Sequence, residues 1–329
     1  MDKVDEVAQR IAEEGAFLQD LRREMEGVIV GQEHLIEGLL IALLADGHLL
    51  LEGLPGLAKS LAVETLAKAV DGSFRRIQFT PDLLPSDLLG THVYHPESGA
   101  WTVREGPVFA NFLLADEINR APAKVQSALL EAMQERQVSL AGDTRPLPKP
   151  FLVLATQNPV ELEGTYTLPE AQVDRFLLKI VVEHPSREEE ELIVERMANT
   201  GPAPLPKVVA QVERILKVRG LMDEILLAPA ARQYLLDLVF ATREPEAAGL
   251  AELRPLILYG ASPRASLSLA QASRAHAFLR GRGYVVPEDL KAVAPAVLRH
   301  RIVTTYEAEA EGISVEDLVT RILETVSVP

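Results

Sequence analysis

The chain has 329 residues, 47% hydrophobic and 25% charged, the make-up of an ordinary globular protein long enough for two domains. It contains no cysteine, which excludes disulfides and thiolate metal centres. Its net charge of −15 sits in the first 200 residues, with 18 basic against 33 acidic side chains, and the remainder is balanced at 15 and 15. An acidic body disfavours a nucleic-acid track, where binding depends on neutralising phosphates. The charged start, Met1-Asp2-Lys3-Val4-Asp5-Glu6, lacks the apolar core of a signal peptide. No apolar run reaches membrane-spanning length, so a cytoplasmic protein without a membrane span is expected.

Residues 3–25 predict one amphipathic helix, with Val7, Ile11, Phe17, Leu18 and Leu21 near helical spacing. A turn-rich entry, Gly27 to Gln32, leads into a second helix ending at about Leu44. Strand and helix signals then alternate: a strand at 49–52, a helix after Ser60, strands at 74–79 and 112–116, a helix at 123–135, and strands at 151–156 and 176–182. Alternation of this kind predicts an α/β fold, a parallel sheet covered by helices on both faces. Two inserts read as β-hairpins: 90–106 around Pro96-Glu97-Ser98-Gly99, and 137–147 with Gly142-Asp143 at its tip. Beyond His184-Pro185 the pattern turns wholly helical, near 187–199, 208–219, 229–242, 262–281, 287–298 and 314–325, with a loop at 244–256.

The expected division is a helical segment at 1–26, an α/β core at 27–186, a linker at 187–206 and an all-helical domain at 207–329. Pro202-Ala203-Pro204-Leu205-Pro206 is the stiff part of that linker. A basic-rich stretch in the last third, with Arg264, Arg274, Arg280, Arg282, Lys291, Arg299 and Arg301, reads mostly as solvated helix faces.

The most informative segment is Gly53-Leu54-Pro55-Gly56-Leu57-Ala58-Lys59-Ser60, between the apolar run Leu49–Leu51 and a helix starting at Leu61. This is the strand–loop–helix setting of a phosphate-binding loop. Small residues let backbone N–H groups turn inward around phosphates, and the new helix adds its positive end. Gly53, Pro55, Gly56, Leu57, Ala58, Lys59, Ser60 and Leu61 are the candidate nucleotide-binding residues. Lys59 would reach the β- and γ-phosphates and Ser60 would hold Mg²⁺. Ala58 stands where the motif usually has its second glycine.

Phe112-Leu113-Leu114-Ala115 is an apolar strand ending in Asp116-Glu117. Phosphoryl transfer to water needs one carboxylate in the Mg²⁺ shell and one to orient or deprotonate the water. Asp116 fits the first role and Glu117 the second. A further apolar strand, Phe151 to Thr156, ends in Gln157-Asn158-Pro159, where an amide could bond both the attacking water and the γ-phosphate.

Together these pieces resemble an AAA+ ATPase, and in detail its MoxR branch within the helix-2-insert clade. The resemblance runs from about Gly27 to Arg301. It rests on GLPGLAKS at 53–60, LLADEINRAPAKVQSALLEAMQERQVSL at 113–140, ATQNP at 155–159, TLPEAQVDRFLLKI at 167–180 and GASPRAS at 260–266. MoxR-like proteins commonly have alanine before the loop lysine. The resemblance implies a parallel AAA+ sheet with a C-terminal helical lid, the helix-2 insert at 90–106 and the pre-sensor-1 hairpin at 137–147. It matches Asn158 to sensor 1, Arg175 to the arginine finger given to a neighbouring subunit, and Arg264 to sensor 2, in cis or in trans. Gly31 and Gln32 match the segment beside adenine. It implies ATP bound with Mg²⁺ between core and lid, and hydrolysis that changes the core–lid angle. It also implies a homo-oligomeric ring, expected as a hexamer, and a chaperone-like role in maturing a protein complex or inserting a metal or cofactor. A von Willebrand factor A-domain partner belongs to the same implication.

His92 and His95 could suggest a metal pair but lie in the first hairpin without a third ligand, and a surface or packing role is expected. Trp101 is expected to anchor that hairpin by packing. Three other readings remain open: a nucleic-acid motor, disfavoured by charge; a small-molecule kinase, which should lack Asn158, Arg175 and the helical lid; and a nucleotide-gated scaffold, against which Glu117 argues.

Overall fold

The computed structural model describes residues 3–53, 56–140, 142–158, 166–198 and 204–328. Pro55, a candidate binding residue, lies outside the described residues, as do Ala141 at the second hairpin's tip and Pro202-Ala203 of the expected linker. By their contacts the described residues form two units. One takes Phe17–Pro169 and Ile180–Leu216, and the other takes Met1–Ala16, Glu170–Lys179 and Lys217–Pro329.

The single helix predicted over 3–25 is two helices, α1 (Lys3–Glu14) and α2 (Phe17–Val28), and the two fall in different units. Gly15 marks the break. A Cβ there would lie 2.6 Å from the Ile11 carbonyl and 2.7 Å from the Phe278 ring, so only glycine admits the chain. Buried apolar residues run on from Val7 and Ile11 to Phe17, Leu18 and Leu21, so periodicity alone does not register the interruption.

In the larger unit, α3 (Glu33–Leu44) is buried at nine of its twelve positions, a core helix rather than a surface one. There follow β1 (Leu49–Glu52), α4 (Lys59–Ala69), β2 (Phe74–Gln78), α5 (Pro85–Leu89), β3 (Gly90–His95), β4 (Ala100–Glu105), β5 (Phe112–Asp116) and a 3₁₀ turn, Ile118–Arg120. The order continues with α6 (Ala123–Glu135), β6 (Gln137–Leu140), β7 (Asp143–Pro146) and β8 (Leu152–Gln157); next in the chain come the short α7 (Glu170–Val173), which groups with the other unit, and β9 (Leu178–Val181), which the division splits.

Five strands make one sheet in the order β2-β5-β8-β1-β9. The β2–β5, β5–β8 and β8–β1 pairings are parallel. Its three central strands are buried until their last residue, the signature of a sheet covered on both faces. The register aligns Gln78 with Asp116, Ala115 with Ala155 and Leu51 with Thr156, so the carboxyl ends of four strands finish level. In an open parallel sheet that edge is where ligands bind.

Both inserts are antiparallel hairpins at the expected places, β3 with β4 and β6 with β7. At the base of the first, Gly90 has φ +107°, and a Cβ on it would sit 2.4 Å from the Arg104 carbonyl. Trp101 does not anchor this hairpin in a core. It packs on Tyr94 across the pair, with ring centroids 5.0 Å apart, yet stays 65% exposed.

Residues 187–206 were expected as a linker, but α8 (Arg187–Met197) lies there and groups with the sheet. Ser186 and Glu189 form the capping box that starts it. The second unit is built on α9 (Val212–Met222, shared at its start), α10 (Pro229–Ala241), β10 (Ile257–Tyr259), α11 (Pro263–Leu279), α12 (Pro287–Leu298), β11 (Val303–Thr304), α13 (Tyr306–Ala310) and α14 (Val315–Thr325). Tyr234, Leu238, Leu269, Ala272, Leu290, Val297, Leu318 and Ile322 fill its core. The unit is helical apart from β10 and β11, which pair antiparallel. These strands are three and two residues long, too short for an alternating pattern to declare them. The expected loop at 244–256 contains two 3₁₀ turns, Pro245–Ala248 and Ala251–Leu253.

Candidate functional site

Gly56, Leu57, Ala58, Lys59, Ser60, Leu61, Asp116, Glu117 and Asn158 line one pocket of about 380 Å³ at the carboxyl edge of the sheet. Arg76, Gln78 and Thr156 complete its wall. The loop enters through a left-handed backbone, with φ +86° at Gly56 and +56° at Ala58, immediately before α4. The second conformation explains why glycine is usual at that position, since it disfavours any residue with a Cβ. Lys59 opens α4, and its ammonium donates to the Gly53 carbonyl at 2.6 Å. Burial pushes the Lys59 ammonium below its ordinary pKa, against Asp116 and Glu117, which hold it up.

The two acids are fixed by one hydroxyl. Thr156 Oγ1 donates to Asp116 Oδ1 at 2.6 Å and accepts from the Glu117 backbone N–H at 2.9 Å. The other Asp116 oxygen accepts from Arg76 Nη2 at 2.6 Å. Glu117 has φ +56°, a strained conformation for a side chain of its size, of a kind that clusters at functional sites. Its Oε2 accepts from Gln78 Nε2 at 2.7 Å and lies 3.2 Å from Arg120 Nε. Asn158 follows β8 and is buried at the same edge.

Arg76, Gln78 and Thr156 carry no mark in the sequence reading. The available signal is the parallel register: once β2 and β8 are placed beside β5, the residues level with Asp116 are Gln78 and the end of β8. Gly31 and Gln32 do not line the pocket. Gln32 Nε2 donates to the Glu183 carbonyl at 3.1 Å, and a Cβ on Gly31 would meet the Glu189 carboxyl at 2.4 Å. Gly53 supplies the Lys59 acceptor without lining the pocket.

Arg175 and Arg264 belong to the second unit. Ser262 caps α11 and its hydroxyl donates to Asp174 Oδ2 at 2.8 Å, while Arg264 Nη1 stands 3.7 Å from the same oxygen. Arg175 Nε is buried with no hydrogen-bond partner among the described residues. The basic-rich stretch is not a solvated face throughout. Arg301 is buried against Asp174, with Nε 2.8 Å from Oδ1, and Arg282 makes a two-pronged bond to the buried Asp289 at 2.6 Å for each oxygen. Burial alone would raise the Asp289 carboxyl. Bonds from His276, Arg282 and the Val286 N–H outweigh it and bring the pKa to about 2. Among the described residues no group of three or more His, Cys, Asp or Glu could hold a metal by itself. His95 instead bonds Thr102 at 2.7 Å.

Comparison with known proteins agrees with this arrangement. The model of the ATPase family associated with various cellular activities (AAA) matches residues 48–178, and the AAA lid domain model matches 252–322. A parallel nucleotide-type sheet joined to that lid makes the chain an AAA+ ATPase. Over 98% of its length it is 52% identical to "Chaperone MoxR1" of Mycobacterium tuberculosis, covering 85% of that protein. It is 35% identical to "Protein MoxR" of Methylorubrum extorquens over 93% of this chain and 94% of the relative. A crystal structure of a candidate ATPase from Cytophaga hutchinsonii superposes with a TM-score of 0.92 at 48% identity, covering 98% of this chain and 97% of the other. The chain belongs to the MoxR family of chaperone-like AAA+ ATPases.

Proposed function

We propose that this chain hydrolyses ATP to ADP and phosphate at the carboxyl edge of β1, β5 and β8, and uses the cycle to remodel a partner protein complex. The supporting observation is that Lys59, Ser60, Asp116, Glu117 and Asn158, from three separate segments, line one pocket. Backbone N–H groups of 56–60 and the start of α4 would cradle the phosphates, and Lys59 would add a point charge. The Ser60 hydroxyl and Asp116 carboxylate are hard oxygen donors lining the same pocket, which suits Mg²⁺ completed by phosphate and water oxygens. Bound there, Mg²⁺ would neutralise charge on the β- and γ-phosphates. Glu117, held by Gln78 and Arg120, would orient or deprotonate the attacking water, and Asn158 would bond that water and the γ-phosphate.

Arg175 is the proposed finger, contributed to a neighbouring subunit's nucleotide. An arginine supplied in this way adds about 10³–10⁵ in rate, which makes turnover depend on assembly. A ring, with six subunits as the expected number, follows from that role, and Arg264 would read the phosphate state. Gly31 and Gln32 would flank adenine. The client is a protein complex that is matured, or loaded with a metal or cofactor, together with a von Willebrand factor A-domain partner. This part of the proposal rests on family membership. A cytoplasmic site of action belongs to it as well; no helix among the described residues is long and apolar enough to cross a membrane.

Glu117→Gln tests the reaction. Steady-state phosphate release should fall about 10²- to 10⁴-fold while ATP binding is kept. Equal, low turnover in wild type and variant would instead make the chain a nucleotide-gated scaffold.

A further inference from the structure

The segment that carries Arg175 has little secondary structure to hold it. Helix α7 is four residues long, far below the length at which a helix supports itself. The chain then turns through Asp174, Arg175 and Phe176 before β9. The carbonyls along this turn are taken up by side chains. Arg301 Nη2 donates to the Asp174 carbonyl at 3.1 Å and to the Phe176 carbonyl at 2.6 Å, and Nη1 donates to the Leu177 carbonyl at 3.2 Å. Arg301 Nε bonds the Asp174 carboxylate, and Nη1 and Nη2 are also shared with the Val297 carbonyl and the Ser268 hydroxyl.

The two residues before Arg301 join in. His300 Nε2 bonds the Phe176 carbonyl at 3.2 Å, and Arg299 Nη1 donates to the Lys179 carbonyl at 3.3 Å. The run Arg299-His300-Arg301 therefore lies along 174–179 and bonds four of its carbonyls. Only 1% of the Arg301 side chain is exposed. Burial lowers its pKa to about 10, with Asp174 opposing, so the guanidinium stays charged at neutral pH. A buried charge with this many backbone acceptors serves a geometry rather than a surface.

We propose that Arg301, seated on Asp174, is a positioning residue for the arginine finger: it fixes the carbonyls on either side of Arg175 and so sets where that side chain emerges. The inference rests on Arg175 being the finger. It assigns Arg301 no contact with nucleotide. Its loss should therefore act on the neighbouring subunit's turnover and leave the chain's own nucleotide pocket intact.

The test uses full-length Arg175→Ala, Arg301→Gln, Arg301→Lys and Asp174→Asn, each assayed alone and mixed with Lys59→Ala, whose finger segment is unaltered. ATP binding is followed by titration and assembly by sedimentation. For Arg301→Gln, kcat should fall tenfold or more with ATP affinity and assembly within about threefold of wild type. Mixing with Lys59→Ala should recover turnover, as it should for Arg175→Ala. Arg301→Lys, which keeps the charge but not the fork, should recover part of kcat. If Arg301→Gln does not fold, Asp174→Asn and Arg301→Lys must show the same pattern. Wild-type kcat in a folded Arg301→Gln, ATP binding lost together with turnover, no recovery on mixing where Arg175→Ala recovers, or failure of all three variants to fold would each overturn the proposal. Full turnover in Arg175→Ala removes the finger reading itself and this proposal with it. An inactive Arg175→Ala beside an active Arg301→Gln removes this proposal alone.

Discussion

Two polar clusters in this molecule are built in opposite ways. At the sheet edge, Lys59 opens α4 while Asp116, Glu117 and Asn158 close or follow a strand, and each sits in a short contiguous motif. Their side chains face a pocket, and the Arg76 that meets Asp116 is 53% exposed. In the second unit, Asp174 gathers Ser262 from 88 positions away and Arg301 from 127 away, and Arg301 is almost fully enclosed. The first cluster is joined mainly side chain to side chain, across strand ends that line a pocket. The second turns its polar atoms to the protein's own backbone. The difference lies in what the polar atoms meet: chiefly other side chains at a pocket wall in the first cluster, and main-chain carbonyls in the second.

The largest effect that sharpens this contrast belongs to Thr156. Its hydroxyl bonds the Asp116 carboxylate and the Glu117 N–H and its side chain is buried, so it acts by holding the two acids. Thr156→Val keeps the shape and removes the hydroxyl. Turnover should fall about 10- to 100-fold, as for other residues that orient a ligand-binding group. Steady-state kinetics with unchanged thermal stability would support this, and unchanged kcat would show that strand register alone sets the acids.

A smaller effect is expected in the other cluster. Burial, reinforced by Arg301, holds His300 neutral, its pKa well below the ordinary value. The unfolded chain takes up a proton below about pH 6.5, so folding stability drops as pH falls through that range by up to about 1.4 kcal/mol per unit. His300→Gln can still donate to the Phe176 carbonyl but cannot titrate. Denaturant unfolding at pH 5.5 and 7.5 should show a smaller pH difference in the variant; identical differences would mean that His300 is accessible to solvent.

What was legible in the sequence follows the same division. Strands β1, β5 and β8 announce themselves as unbroken apolar runs ending in polar residues, because a sheet covered on both faces leaves no other choice. The loop at 53–60 and the acids at 116–117 are legible because phosphate chemistry requires those residues in consecutive order. Arg76 and Gln78 were missed because their role depends on which strand lies beside which, and β2 looks like an ordinary exposed strand. Arg301 was misread as solvated because a charged residue after a helix usually is. Only the fold reveals that an aspartate and four carbonyls meet it. The break at Gly15 escaped for a related reason: the apolar stripe continues while the helix does not.

The most direct measurement is titration of Mg·ATP into the wild-type protein and into Lys59→Ala. Saturable binding in the wild type and an affinity about 100-fold weaker in the variant are expected, the loss of a charge-assisted contact of about 3 kcal/mol. Equal affinity in the two proteins would place the nucleotide somewhere other than the edge of β1, β5 and β8.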